Sequence, residues 1–134
     1  FKGYWAFPEG KGDASQRRPA ILVVHAWRGQ DAFARHKAEA LAELGYIAFA
    51  VDLYGEGRTA VTNDEAQSLM VPLFEDRALL QKRIGAAFKV VREHPAVDPS
   101  KVGAIGFCFG GLTVIELLRS GVDVKAVVSF HGVL

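Results

Sequence analysis

The only cysteine of this 134-residue chain stands in the segment GFCFGG, Gly106 to Gly111. Glycines two residues before and two after Cys108 make G-x-C-x-G, the spacing of a nucleophile elbow. That spacing has a steric origin. A sharp strand-to-helix turn forces its central residue into a strained backbone conformation and lifts the side chain above the sheet. A β-carbon at either flanking position would meet the neighbouring strand or the helix start. Cys108 would then sit at a helix N-terminus, where partial positive charge favours a thiolate. Two other roles compete. A free cysteine is often a small buried hydrophobe, and Gly-rich strand-to-helix turns also cradle phosphates. The phosphate role wants G-x-G-x-x-G, which is missing here.

Acyl chemistry at a thiol needs more than sulfur. An unassisted cysteine is only a small fraction thiolate at neutral pH, so a base or a strong local field is required. Two backbone donors must also face the developing oxyanion. In a strand–elbow–helix setting one donor is the N–H after the nucleophile, here Phe109. The second comes from the loop after an earlier strand, here HAWRG, with Trp27 the candidate. Trp27 and Arg28 are also candidate pocket residues, since an exposed loop rarely keeps a tryptophan with nothing to cover. His25 and His131, at the ends of apolar runs, are further pocket candidates, each weighed against a purely structural histidine. Asp52 follows an apolar run, where a carboxylate organises a loop by accepting backbone N–H bonds. Glu56 and Arg58 either shape the pocket mouth or belong to a surface turn. Glu116 is expected as a buried hydrogen-bonding residue, and His36 and His94 as solvent-facing or capping.

The elements that must hold these residues alternate along the chain. Lys2–Phe7 alternates like a strand, and PEGKGDASQRRP is a polar turn. AILVVH, Ala20–His25, is a β-branched run suited to a strand buried on both faces. A helix is expected over Asp31–Leu44, stopped by Gly45. Tyr46–Tyr54 is a second buried strand. Asp64 to about His94 is helical in pattern, with a break near Pro72 and an end at Pro95. Val102–Phe107 is the third core strand, a helix runs from about Gly111 to Ser120, and Val124–Phe130 is a fourth. Strands separated by helices imply parallel pairing through right-handed crossovers, hence an α/β three-layer sandwich with a mainly parallel sheet. Ligands in such sheets bind beyond the carboxyl ends of the strands, where HAWRGQD, DLYGEGR and GFCFGG all lie.

Composition narrows the classes. Half the residues are hydrophobic, and sixteen basic residues against fifteen acidic leave a net charge of +1. With no basic stripe interleaved with aromatics, nucleic acid is not an expected partner. No apolar run approaches the ~20 residues of a membrane helix. One cysteine excludes an internal disulfide, and no structural-zinc spacing occurs. The chain opens at FKGYWAF without an initiator methionine and ends just after an apolar run, so it is read as an internal piece of a longer protein. A cytoplasmic location is the expectation. The last strand is expected to leave an apolar sheet edge open to self-association.

RPAILVVHAWRG, GYIAFAVDLYGEGR, KVGAIGFCFGG and the closing VVSFHGVL together resemble the dienelactone hydrolase family, from end to end of the chain. The resemblance implies a truncated α/β-hydrolase fold, with residues 1–134 forming the N-terminal part of one domain. It also implies a Cys-Asp-His triad that cleaves esters or lactones without metal or organic cofactor. Cys108 matches the family nucleophile, with Phe109 and Trp27 as oxyanion donors. The family aspartate and histidine would fall beyond Leu134, so neither Asp123 nor His131 is assigned to those roles. Two departures stand out. A regulating glutamate after the first core strand is replaced by Ala26, and no arginine lies between Arg58 and Arg77 where a substrate carboxylate would be bound. The expected partner is a small ester or lactone. The rival expectation is a ligand-binding or thiol redox-sensing relative that keeps the elbow without the hydrolysis.

Overall fold

The computed structural model describes residues 3–9 and 16–132. The expected start of the first strand at Lys2, the middle of the polar turn and the last two residues lie outside the described residues. Five strands form one sheet: β1 (Gly3–Ala6), β2 (Arg18–Val24), β3 (Ile47–Val51), β4 (Val97–Phe107) and β5 (Ala126–Phe130). Their spatial order is β1-β3-β2-β4-β5, with β1 antiparallel and every other pair parallel. Four helices complete the chain: α1 (Ala32–Glu43), α2 (Asn63–Glu75), α3 (Arg77–Arg92) and α4 (Phe109–Arg119).

Alternation along the central strands sorts the two layers. On one face Leu22, Phe49, Val51, Val102 and Ala104 pack with Leu80, Ile84, Phe88, Leu112 and Leu117 of α3 and α4. On the other, Val23, Ala48 and Ala50 meet Ala34, Ala38 and Ala42 of α1. The small residues of that second face let α1 lie close to the sheet. The larger residues on the first face build the deeper core, where each fully buried Leu, Ile or Phe contributes about 2 kcal/mol of hydrophobic stabilisation. The expected three-layer, mainly parallel α/β arrangement is the observed one.

Some boundaries differ from the sequence reading. The single helical stretch breaks at Asp76, not near Pro72, which sits inside α2. Pro72 removes one N–H from α2 only three residues before its end, on an exposed face where water can serve the freed carbonyl. The Asp76 carboxylate then accepts from Leu79 N–H at 3.0 Å and starts α3 as its cap. β4 begins at Val97, five residues early, because Asp98 to Lys101 are taken up by an irregularity in the pairing between Arg18 and Ala20. α4 starts directly after Cys108, two residues before the expected Gly111.

Glu116 is buried on α4 and joins it to α3. It accepts from Gln81 at 3.0 Å and Arg119 at 2.8 Å, with Arg77 at 3.5 Å. Burial pushes its carboxyl up, but those donors outweigh it and hold the group below the ordinary glutamate value. No described helix is long and apolar enough to cross a membrane.

Candidate active site

Because β2, β3 and β4 run parallel, the chain leaves all three at the same end of the sheet. The loops after them carry His25–Arg28, Asp52–Arg58 and Cys108.

The turn after β4 is tight enough to exclude side chains at both flanking glycines. A β-carbon on Gly106 would lie 2.0 Å from the Gly110 carbonyl oxygen, and one on Gly110 would lie 2.2 Å from the Val24 carbonyl oxygen. Between them Cys108 takes φ 56° and ψ −113°. That left-handed conformation costs on the order of 1–3 kcal/mol in a non-glycine residue. Hydrogen bonds on either side hold it. Cys108 N–H donates to the Phe130 carbonyl at 2.9 Å, and the Cys108 carbonyl accepts from Gly111 at 2.9 Å and Leu112 at 3.2 Å. β5 therefore anchors the elbow as well as extending the sheet.

The thiol is partly exposed and borders a cavity of about 220 Å³. The other lining residues are Trp27, Met70, Phe74, Phe109 and Leu112. Phe109 is the first residue of the 11-residue helix α4, and its N–H is one of the free donors at any helix start. Among the described residues, neither that N–H nor the N–H of Trp27 donates to a protein acceptor. Phe109, next in the chain to Cys108, and Trp27 thus line the same cavity as the thiol, each with an unengaged N–H.

Tyr54 ties the two together. Its hydroxyl donates to the Trp27 carbonyl at 2.7 Å, and its ring stacks on Phe109 with centroids 6.4 Å apart. Burial, and then the nearby Cys108 charge, push its hydroxyl well above the usual tyrosine range, so it stays protonated as a donor.

His25 is buried beneath this loop, and both ring nitrogens are used. Leu53 N–H donates to Nε2 at 3.1 Å, which leaves Nδ1 to donate to the Ala26 carbonyl at 2.7 Å. Burial lowers its pKa against the opposing hydrogen bond and the Asp52 and Asp31 charges. The neutral ring is a bracket between the β2 and β3 loops, and it does not line the cavity. Arg28 is also committed. It donates to the Val61 carbonyl and to Asn63 Oδ1, both at 2.6 Å, and so pins the β2 loop to the start of α2. His131 is exposed just after β5 with φ 42°, away from the cavity lining.

Asp52 organises the GEG turn, accepting from Gly55 at 3.0 Å and Gly57 at 2.8 Å. Arg58 closes the same loop onto the carbonyls of Tyr54 and Gly55. Glu56 is exposed at its tip. Among the described residues no carboxylate or imidazole hydrogen-bonds the Cys108 thiol.

Sequence reasoning missed Met70 and Phe74. One turn apart on α2, they read as ordinary core spacing, and nothing local distinguishes a cavity wall from a packed core face. The bracing role of Tyr54 was equally hidden, although it lies in the DLYG segment.

Comparison with known proteins agrees with this fold. The dienelactone hydrolase family model matches residues 1–134. The solved structure called m3DLH is 39% identical, with a TM-score of 0.91 over 98% of this chain and 54% of its own. A dienelactone hydrolase-like promiscuous phosphotriesterase from metagenomic libraries is 38% identical, with a TM-score of 0.90 over 97% of this chain and 53% of its own. The carboxymethylenebutenolidase of Pseudomonas putida is 28% identical over 121 residues, covering 86% of this chain and 50% of that protein. The chain spans about half the length of the curated relatives it matches. With its α/β-hydrolase fold and an elbow cysteine, the chain belongs to the dienelactone hydrolase family.

Proposed function

We propose that this chain supplies the nucleophile and oxyanion half of a cysteine hydrolase acting on a small ester or lactone. The observation that carries the reading is the strained Cys108 turn, which aims a thiol at an apolar cavity beside two unengaged backbone N–H groups. In the first step the thiolate sulfur bonds to the acyl carbon and the C–O bond to the leaving alcohol breaks. The alkoxide takes a proton and departs, or stays tethered when the substrate is a lactone. Water then attacks the thioester carbon, the C–S bond breaks, and the acid is released with the thiol restored. The N–H groups of Phe109 and Trp27 hold the oxyanion in both steps. The names borne by the relatives support ester or lactone cleavage.

In the same reading, residues 1–134 are the N-terminal part of one domain, and the aspartate and histidine that move protons come from outside this chain. The half-length coverage of the relatives supports this division. β5, paired on one side to β4 and exposing Val128 and Phe130, would accept a further strand of that domain, or in its absence a second copy.

The test is turnover of p-nitrophenyl acetate by the full-length protein and its Cys108→Ala variant. Loss of about a thousand-fold or more in kcat is expected for removal of a nucleophile. Full turnover by the variant would leave the elbow as a binding or redox element instead.

A further inference from the structure

The cavity beside Cys108 has a chemistry of its own. Trp27, Met70, Phe74, Phe109 and Leu112 line it together with the thiol, and no charged side chain is among them. Two guanidinium groups lie near the lining rings without lining the cavity themselves. Arg28 lies 6.0 Å from the Trp27 ring centroid and is spent on Val61 and Asn63. Arg77 lies 4.8 Å from the Phe74 ring centroid, donates to the Phe74 carbonyl at 2.8 Å and pairs with Glu116 at 3.5 Å. Both cations are held outside the cavity by these partners. The wall they support, α2, is thereby pinned near both of its ends.

We infer that this cavity is the acyl-binding subsite and that it selects uncharged apolar acyl groups over acyl groups bearing a carboxylate. The inference rests on the cysteine-hydrolase reading above and adds the substrate class to it. The thiol forms part of the cavity boundary, so the group that stays bonded to sulfur in the thioester is the one that fills it. An apolar cavity of about 150 Å³ holds benzene. The larger volume here, about 220 Å³, accommodates a benzoyl group or a chain of about six carbons. A carboxylate in the same place would lose its water and find no cation among the described residues lining it, a cost of several kcal/mol. Met70 and Phe74 set the depth, since they project one turn apart from α2 into the space opposite α4.

The experiment compares p-nitrophenyl hexanoate, benzoate and hemisuccinate as substrates of the full-length protein. The two uncharged esters should exceed the hemisuccinate in kcat/KM by roughly ten-fold or more. Phe74→Ala and, separately, Met70→Ala should move the preferred acyl chain from hexanoate towards octanoate. Met70→Lys should narrow or invert the discrimination against hemisuccinate. Equal or better turnover of hemisuccinate by the unaltered protein would overturn the inference. So would an unchanged chain-length order in both alanine variants. Intact-mass measurement after mixing with each ester separates the two levels. A succinyl adduct on Cys108 formed in preference to hexanoyl overturns only the subsite assignment. Neither an adduct nor turnover with any ester overturns the hydrolase reading and the subsite with it.

Discussion

The Tyr54 hydroxyl donates a 2.7 Å hydrogen bond to the carbonyl of Trp27, while the Tyr54 ring stacks on Phe109. One side chain from the β3 loop therefore braces both residues proposed as oxyanion donors. In Tyr54→Phe the stacking survives and only the hydroxyl is lost. The Trp27 peptide is then free to tilt, which should weaken the oxyanion contact more than substrate binding. We expect kcat to fall about ten-fold with KM little changed, and stability to fall by about 1 kcal/mol. Steady-state kinetics with urea unfolding checks this. An unaltered kcat would show that the bond does not position the loop.

The elbow glycines are a steric requirement with a measurable cost. A methyl group at Gly110 would lie 2.2 Å from the Val24 carbonyl oxygen and 2.6 Å from the His25 carbonyl oxygen, both rigid backbone atoms. Gly110→Ala should therefore separate α4 from β2 and lower stability by about 3 kcal/mol or more. Gly57→Ala is the control at an unobstructed glycine, where the penalty comes from φ +70° alone and is expected near 1 kcal/mol. Urea midpoints of the two variants give the comparison. A smaller loss at Gly110 than at Gly57 would contradict the packing described.

His25 makes stability pH-dependent in a definite direction. Its folded-state pKa is lowered from 6.5 by burial, so the unfolded chain binds the proton more readily than the native one. Stability from this group is full above about pH 6.5 and shrinks as pH falls below that value towards the lowered folded pKa. His25→Gln removes the titration. The stability gap between the unaltered protein and the variant should be about 1–2 kcal/mol at pH 7.5 and smaller at pH 5.5. Imidazole NMR should show His25 titrating below the ordinary histidine value in the native state. A gap that widens in acid would mean that folding raises the affinity of His25 for its proton, the opposite of what burial does.

Much of the fold was legible because its signals are local. Ile21–Val24 and Ile47–Val51 are continuous apolar runs, and such runs become strands buried on both faces. The helix after Asp31 declares itself by its cap and by Ala34, Ala38 and Ala42 on one face. Pro72 misled because proline's cost depends on whether water reaches the carbonyl it frees, and exposure is not a local property. His25 could be placed at a strand end, but not seen to bridge Ala26 to Leu53, 28 residues on.

The sequence by itself determined the α/β alternation, the elbow and the cysteine at its centre. Those follow from side-chain size, β-branching and the need for glycine where backbones nearly touch. Only the tertiary structure decided what surrounds the sulfur. Met70 and Phe74 face it across a cavity, Tyr54 spans the two donor loops, and the nearby arginines are turned to other partners. The reason is physical: spacing along a chain sets which groups can share a face, whereas a cavity is made by groups far apart in sequence.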